Sequence, residues 1–263
     1  YLVWNEELRT QLLQIYPHVD PARVLVTGTP QFDMHFDPAT HWSRADFCRE
    51  VGADPARPIV LYTTGMAHHM PGEPRIVEGI ADALRAMPDL GPPQLLVRVY
   101  PKDRTGRFDA LRARRPDILF PPARWVERWL TPTPEDNVLY TNTLRHAACG
   151  VNVASTVSLE LCMFDVPAIN VAYDPPDEPD VRVPFARFYT YDHYAPVAAS
   201  GAVTLVHAPD AMGAAIRDAL VTPAARREAR RALLRRMFGD TLDGRSAERV
   251  ADALLRIARG GRT

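Results

Sequence analysis

The sequence predicts an α/β fold built on a doubly wound parallel sheet, and two observations support that prediction. Short apolar segments typical of strands alternate with helical segments of about 10–15 residues, as they do in βαβ units. Hydrophobic residues make up 46% of the 263 residues, which is enough for a buried core. No apolar run reaches the roughly 18 residues that a membrane span needs.

Composition narrows the class of protein. The net charge of -1, with balanced signs, predicts no bulk attraction to nucleic acid or to an anionic membrane. The three cysteines are widely spaced, which argues against a disulfide framework and against a zinc cluster. With no signal peptide recognisable, we expect reduced, mostly buried thiols in a cytoplasmic protein. We predict no cofactor.

The first segment predicts a strand, a helix and a strand. Residues 1–4 form an apolar run, and Asn5 can cap a helix whose leucines fall near helical spacing. Residues 23–27 form a second apolar run, which Gly28 and Pro30 end. These strands need a larger sheet to join.

The alternation of elements restarts near residue 40 and continues to the end. Residues 137–174 predict strand, helix, strand, helix, strand, with Asn142 and Thr143 after the first of these strands. A Pro-rich loop that could cover a site follows. The other predicted elements are helices over 41–52, 72–88 and 106–116, strands over 58–65, 93–101 and 201–206, and helices from Pro209 and Pro223.

Ligands of doubly wound sheets lie at the carboxyl ends of the strands, so the residues that follow each strand are the site candidates. Ser155 and Thr156 follow the strand 150–153 and open a short helix, where hydroxyls and backbone N–H groups suit a phosphate. Glu160, one turn further, could accept hydrogen bonds from ribose hydroxyls. The alternative is that Ser155 only caps the helix and Glu160 only faces solvent.

Further candidates for nucleotide or phosphate binding follow other strands. Lys102, the one lysine among 31 basic residues, and Arg98 lie in "VRVYPKD" and could neutralise a phosphate. The alternative for this pair is a surface lysine and a strand arginine paired with an acid. Thr64 and Gly65 end "LYTTG", and Gly28 ends an earlier strand.

Two histidines are candidates for acid–base catalysis. His68 lies in the loop "TTGMAHHMPGEP", where it could act as a general base or contact a ligand. His193 lies beside Asp192 in "FARFYTYDHYAPV", a segment that could wall a sugar or a base, or form an apolar clasp under the Pro-rich loop. Neither G-x-S-x-G nor G-x-G-x-x-G occurs, so neither a hydrolase elbow nor the usual dinucleotide fingerprint applies.

Five segments in this order resemble the C-terminal, donor-binding half of GT-B fold glycosyltransferases, especially bacterial enzymes of surface-polysaccharide synthesis. They are "VTGTPQFD", "LYTTG", "RVYPKD", "VNVASTVSLELCMFDVPAINV" and "DGRSAERVADALLRI". Glycerophosphotransferases of teichoic acid synthesis and UDP-N-acetylglucosamine 2-epimerase have a similar layout. The resemblance implies a Rossmann-like nucleotide-sugar-binding domain and a metal-independent glycosyltransferase. The alternatives are an epimerase, a CDP-polyol phosphotransferase, or a non-catalytic half-domain that docks on a partner.

The resemblance also assigns parts of the chain. It implies that the donor's phosphates and ribose lie on the segment of Ser155, Thr156 and Glu160. The segment of Arg98 to Lys102 would face the donor, with Tyr100 where the family pattern R-x-H-P has its histidine. Residues 1–38 would close a largely missing N-terminal domain, and 39–263 would form the nucleotide-sugar-binding domain, its terminal helices packing back on the first domain. Implied partners are a nucleotide sugar, a glycan or lipid-linked acceptor, an N-terminal domain, and the inner face of a membrane through a peripheral contact.

Overall fold

The computed structural model describes residues 1–126 and 128–259, so the last residues of the domain predicted over 39–263 lie outside the described part. The chain divides into two compact units. The first unit is Tyr1–His41 with the chain from Arg231 onward, and the second unit is Trp42–Arg230. The terminal helices therefore belong to the same unit as the first strand–helix–strand segment.

Short 3-10 turns join the regular elements. The strands of the described residues are β1 (Leu2–Val3), β2 (Leu25–Val26), β3 (Ile59–Thr63), β4 (Gln94–Arg98), β5 (Ile118–Leu119), β6 (Trp125–Val126), β7 (Thr131–Pro132), β8 (Cys149–Asn152), β9 (Ala168–Val171) and β10 (Val203–Val206). The α-helices are α1 (Glu6–Ile15), α2 (Arg44–Val51), α3 (Glu73–Arg85), α4 (Asp109–Arg114), α5 (Pro134–Arg145), α6 (Val157–Met163), α7 (Ala195–Ala198), α8 (Met212–Val221), α9 (Arg227–Phe238) and α10 (Ser246–Ala258).

In the first unit, β1 and β2 pair in parallel, and the side chain of Asn5 caps α1 by accepting the N–H of Leu8. The carboxylate of Asp33 accepts the N–H groups of Ser246 and Ala247 at 3.0 and 2.7 Å, so it caps α10. Gly28 has a φ of +79°, and a Cβ there would lie 2.5 Å from Ser246 Oγ. The segments "VTGTPQFD" and "DGRSAERV" thus pack on each other.

The second unit contains a six-stranded parallel sheet in the described part of the chain, in the order β10-β9-β8-β3-β4-β5. The first strand of this sheet along the chain, β3, lies between the second, β4, and the fourth, β8. This is the doubly wound order, and it confirms the predicted fold class. The point where the order reverses lies between β3 and β8.

Strand composition explains the buried sheet. Every residue of β3, β4, β8 and β9 is buried, as expected for a parallel sheet covered on both faces. The predicted apolar face of α3, formed by Ile76, Ile80 and Leu84, belongs to the core cluster that includes strand residues of β3 and β4.

One stretch of the predicted secondary structure is wrong. Residues 137–141 belong to α5 rather than to a strand, so Asn142 and Thr143 lie inside a helix and do not follow a strand. The helix begins earlier than predicted because Thr133 caps it, its hydroxyl accepting the N–H of Asp136 at 3.2 Å, while Pro134 occupies the first turn. The two-residue strands β5, β6 and β7 were not predicted because they are too short to show a period.

Candidate functional site

A cavity of ≈ 350 Å³ opens at the carboxyl ends of the strands in the second unit, next to the point where the strand order reverses. Open α/β sheets bind their ligands at this position. Residues that end or follow β3, β4 and β8, together with residues of α5, α6 and the β6–β7 hairpin, line the cavity. They are Thr63, Thr64, Arg98, Val99, Tyr100, Pro101, Trp125, Pro132, Asp136, Asn137, Tyr140, Ser155, Thr156, Val157 and Glu160.

The turn between β8 and α6 is fixed by its own polar groups. Ala154 has a φ of +36°, a sparsely populated conformation for a residue other than glycine. The N–H of Ser155 donates to Asn152 Oδ1 at 3.2 Å, and Ser155 Oγ accepts the N–H of Val157 at 3.3 Å. Ser155 therefore satisfies the first N–H of α6 from the position before the N-cap residue Thr156, and its own N–H is already used within the protein.

A buried polar cluster contacts the turn between β8 and α6. We call it the Asn152 cluster, and it consists of Asn152, Ser158, Asn170, Tyr189 and Tyr194. The Asn170 amide donates to Asn152 Oδ1 at 3.0 Å and to Ser158 Oγ at 2.9 Å. Tyr194 donates to Asn170 Oδ1 at 3.0 Å, and Tyr189 accepts the N–H of the strained Ala154 at 3.1 Å. Satisfied buried networks of this kind rigidify the backbone that they contact.

Glu160 is 7% exposed and lines the cavity from the first turn of α6. The hydroxyl of Tyr140 donates to Glu160 Oε1 at 3.1 Å. Burial, and next the neighbouring charge of Glu160, raise the pKa of Tyr140 well above its ordinary value. Tyr140 is therefore a neutral donor, and it orients the carboxylate within the cavity wall.

An ion pair joins β4 to α5 under the cavity. Arg98 Nη2 donates to Asp136 Oδ2 at 2.6 Å, with the side chains 9% and 1% exposed. Asp136 also accepts Trp125 Nε1 and the N–H of Arg124, each at 2.9 Å, so it fixes the β6–β7 hairpin. The guanidinium lies 5.0 Å from the centre of the Tyr140 ring. The positive charge of Arg98 is thus largely balanced by the protein.

A second polar cluster, the Glu73 cluster, lies at the end of β3 and consists of Glu73, Arg107, Tyr62, Gly65 and Asp103. Glu73, fully buried, accepts Arg107 Nη2 at 2.8 Å, the Tyr62 hydroxyl at 2.9 Å and the N–H of Gly65 at 3.0 and 3.1 Å. Burial raises the pKa of Glu73 above its ordinary value, against the opposing effect of Arg107. Burial opposes ionisation of Asp103 as well, but hydrogen bonds from Thr105 and Arg107 lower its pKa.

The structure brings together five of the predicted nucleotide-binding residues. Thr64, Arg98, Ser155, Thr156 and Glu160 line the cavity. Their roles in ligand binding stay predictions. Arg98 pairs with Asp136, as expected from the alternative interpretation in which the strand arginine is paired with an acid.

The other predicted residues lie elsewhere. Gly65 belongs to the Glu73 cluster, where a Cβ would lie 2.0 Å from the sulfur of Met70, and Gly28 packs within the first unit. His68, Lys102 and His193 are exposed and do not line the cavity. The ring of His193 stacks on Tyr191, with 6.0 Å between centroids.

Several cavity residues were missed in the sequence. Trp125 and Asp136 lie in a stretch for which no element was predicted, and Tyr140 lies in the stretch that was predicted as a strand. The sequence signal was present, since the Thr133–Pro134 pair marks a helix start that would have placed Asp136 in a first turn.

Within 1–126 and 128–259, no group of three or more His, Cys, Asp or Glu side chains is placed to hold a metal ion. Over the same residues, no helix combines the length and the apolar character needed to cross a membrane.

Comparisons with known proteins identify relatives in structure alone. No family model matches the sequence, and no curated protein matches it. The wall teichoic acid polymerase TagF, in a variant soaked with CDPG, matches with a TM-score of 0.60 and 13% identity over 98% of this chain and 57% of that chain. The structure of MnaA from S. aureus with UDP matches with a TM-score of 0.55 and 12% identity over 98% of this chain and 60% of that chain.

A third structure, UDP-GlcNAc 2-epimerase from Methanocaldococcus jannaschii, matches with a TM-score of 0.54 and 15% identity over 95% of this chain and 61% of that chain. The chain thus spans about 60% of the length of these structures. At such identities the likeness is one of fold. The chain has the GT-B-type α/β fold that TagF and these epimerases share.

Proposed function

We propose that the chain is the donor-binding half of a GT-B-type glycosyltransferase, which transfers a sugar from a nucleotide sugar to a surface glycan or a related acceptor. One observation supports this most directly: Ser155, Thr156 and Glu160 line a single cavity where the strand order reverses. The fold is shared with MnaA, whose structure was determined with UDP, and with TagF, which was soaked with CDPG.

The proposed roles follow from the donor and acceptor capacity of each group. Glu160 is an acceptor for ribose hydroxyls, and Tyr140 holds one of its oxygens in place. Ser155 Oγ already accepts the N–H of Val157, and its own proton can be donated to an oxygen of the donor's diphosphate. The hydroxyl of Thr156 offers a second donor at the same turn.

Catalysis would consist of stabilising the departing nucleoside diphosphate. As the bond between the sugar and the diphosphate breaks, negative charge grows on the leaving oxygen, and hydrogen-bond donors fixed beforehand lower the barrier. Because Asp136 balances Arg98, we propose the exposed Lys102 as the cation that meets the diphosphate. His68 and His193 remain the proposed acid–base residues, and each would act on the part of the substrate that lies outside the cavity.

A second candidate function is an epimerase or a CDP-polyol phosphotransferase on the same scaffold. It is favoured by the comparisons, since TagF and the two epimerase-type structures match this chain about equally well. Product analysis with UDP-N-acetylglucosamine and with a CDP-polyol separates the three reactions. The third candidate is a non-catalytic half-domain that docks on a partner, which gel filtration with light scattering would detect.

Titration calorimetry with UDP, CDP and GDP sugars and with CMP sugars tests the proposal. We expect one of these donors to bind, and Glu160→Gln to weaken its binding by about tenfold or more, because the neutral amide replaces a charged acceptor. Glu78→Gln is the matched control, since Glu78 pairs with Arg114 and does not line the cavity. Absence of binding by every donor would refute the proposed function.

A further inference from the structure

Two buried side-chain atoms of residues that line the cavity have no hydrogen-bond partner among the described residues. Thr63 and Arg98 are directly paired in the register of β3 and β4, and they are 7% and 8% exposed. Both line the cavity. Neither Thr63 Oγ1 nor Arg98 Nη1 has a hydrogen-bond partner among the described residues.

This pair stands out within its unit. Among the described residues of Trp42–Arg230, Thr63 Oγ1 and Arg98 Nη1 are the two buried side-chain nitrogen or oxygen atoms without a partner. Buried polar groups in native proteins are nearly always satisfied, because leaving one unpaired costs free energy. The two atoms belong to directly paired residues of neighbouring strands that both line one cavity, and this points to a partner that comes from outside the fold.

The charges of the cavity lining identify the kind of partner. Arg98 Nη2 is committed to Asp136 at 2.6 Å, and the remaining charged group of the cavity lining is the carboxyl group of Glu160. The lining therefore contains one cationic and two acidic side chains, which disfavours a phosphate at this point. An uncharged oxygen that accepts hydrogen bonds meets no such repulsion.

We propose that Thr63 and Arg98 form a subsite for an uncharged oxygen acceptor of the ligand, with Arg98 Nη1 and the Thr63 hydroxyl as its donors. The inference rests on the proposed function, which supplies the ligand, and it changes the role of Arg98 from neutralising a phosphate to recognising a neutral oxygen. In a nucleotide sugar that oxygen is either a carbonyl of the base or an oxygen of the sugar.

Thr63→Val is the decisive variant, because it removes the hydroxyl and keeps the shape of the side chain. Since Thr63 Oγ1 bonds to nothing in the described protein, we expect a melting temperature no lower than that of the wild type. We expect binding of the ligand, measured by calorimetry, to weaken by about fivefold to tenfold, the usual effect of losing one hydrogen bond. Thr143→Val is the matched control: Thr143 is also buried, donates to Leu139 and lies outside the cavity lining, so its binding should equal that of the wild type.

The ligands used in the titration distinguish the two sources of the oxygen. Each variant is titrated with UDP-N-acetylglucosamine and UDP, and with CDP-glycerol and CDP. An equal loss for the free nucleotide and its conjugate assigns the subsite to the nucleoside, and a loss confined to the conjugate assigns it to the group that is transferred. Arg98→Lys, which keeps a cation for Asp136 and removes Nη1, should lower affinity for the same ligand.

The failures can be told apart. If the wild-type chain binds none of the UDP, CDP, GDP and CMP donors, the proposed function fails and the subsite fails with it. If the wild type binds and Thr63→Val binds with unchanged affinity, the subsite is overturned and the proposed function stands.

Discussion

Two buried arginine–carboxylate pairs lie at the same edge of the sheet, and their surroundings differ. Arg107 donates to Glu73, to Asp103 and to the carbonyls of Gly65 and Met70, so each of its nitrogens has a partner. Arg98 donates through Nη2 to Asp136, while Nη1 has no hydrogen-bond partner among the described residues. The first pair lies among the loops that follow β3 and β4, and the second faces the cavity.

The difference distinguishes a structural arginine from one that is available to a ligand. A fully used guanidinium contributes to holding the backbone, since the carbonyls of Gly65 and Met70 depend on it. An incompletely used guanidinium, held by one carboxylate and lining a cavity, retains hydrogen-bonding capacity. The two pairs should therefore respond differently to substitution, the first in stability and the second in binding.

The largest effect is expected for Arg107→Leu. The substitution leaves Glu73 buried without its counter-charge, and breaking a buried pair by removing one partner typically costs about 3–5 kcal/mol. Urea unfolding measures the loss. Arg114→Leu is the control, because the Arg114–Glu78 pair is more exposed and its removal should cost less than about 1 kcal/mol. Equal losses of unfolding free energy in the two variants would contradict the structural role assigned to Arg107.

Asp136→Asn should have the next largest effect. The amide keeps the shape of Asp136 but withdraws the charge that balances Arg98, at an expected cost of about 2 kcal/mol in the free energy of unfolding. Because Trp125 Nε1 donates to the same side chain, the fluorescence of Trp125 should also change. A variant with wild-type stability would show that Asp136 does not hold the hairpin.

The sequence predicted the sheet better than it predicted the cavity. Strands β3, β4, β8 and β9 were visible as apolar runs, because a parallel sheet buried on both faces requires them. The predicted turn of Ser155, Thr156 and Glu160 follows directly from the rule that ligands meet the carboxyl ends of strands. The part of the cavity that the sequence did not predict depends on contacts between residues that are distant in the sequence.

The hydrogen bonds of Asp136 explain why this part of the cavity was not predicted. The hydrogen bonds of Asp136 to Arg98 and Trp125 join residues that no local period connects. The strand predicted over residues 137–141 is wrong because Thr133 and Pro134 start a helix, a signal that the apolar residues of "NVLYTNTL" obscured. An unpartnered atom such as Thr63 Oγ1 can be recognised only after the fold is known.

A smaller effect is expected for Tyr194→Phe in the Asn152 cluster. The change removes the hydroxyl that donates to Asn170 Oδ1 and contacts Ser158 Oγ, so the free energy of unfolding should fall by about 1 kcal/mol. Since the cluster positions the turn at Ser155, the affinity for the proposed nucleotide-sugar ligand should fall as well, by about threefold to fivefold. Tyr191→Phe, whose ring stacks on His193, is the control and should leave affinity unchanged. A loss of stability without a loss of affinity would restrict the cluster to a structural role.

The smallest effect is a pH dependence that separates the Glu73 cluster from ordinary surface carboxylates. Burial raises the pKa of Glu73 above its ordinary value of 4.5, so the folded state binds the proton more tightly than the unfolded state does. The stabilising contribution is therefore fully present below about pH 4.5 and is lost as the pH rises through the folded pKa.

Glu73→Gln lacks this titration. The free energy of unfolding of the wild type minus that of the variant should decrease as the pH rises from 4.5 toward neutrality, measured by urea unfolding at each pH. A difference that increases with pH would mean that the charge of Arg107 lowers the pKa of Glu73 more than burial raises it. The Glu73–Arg107 ion pair would then stabilise the folded state electrostatically.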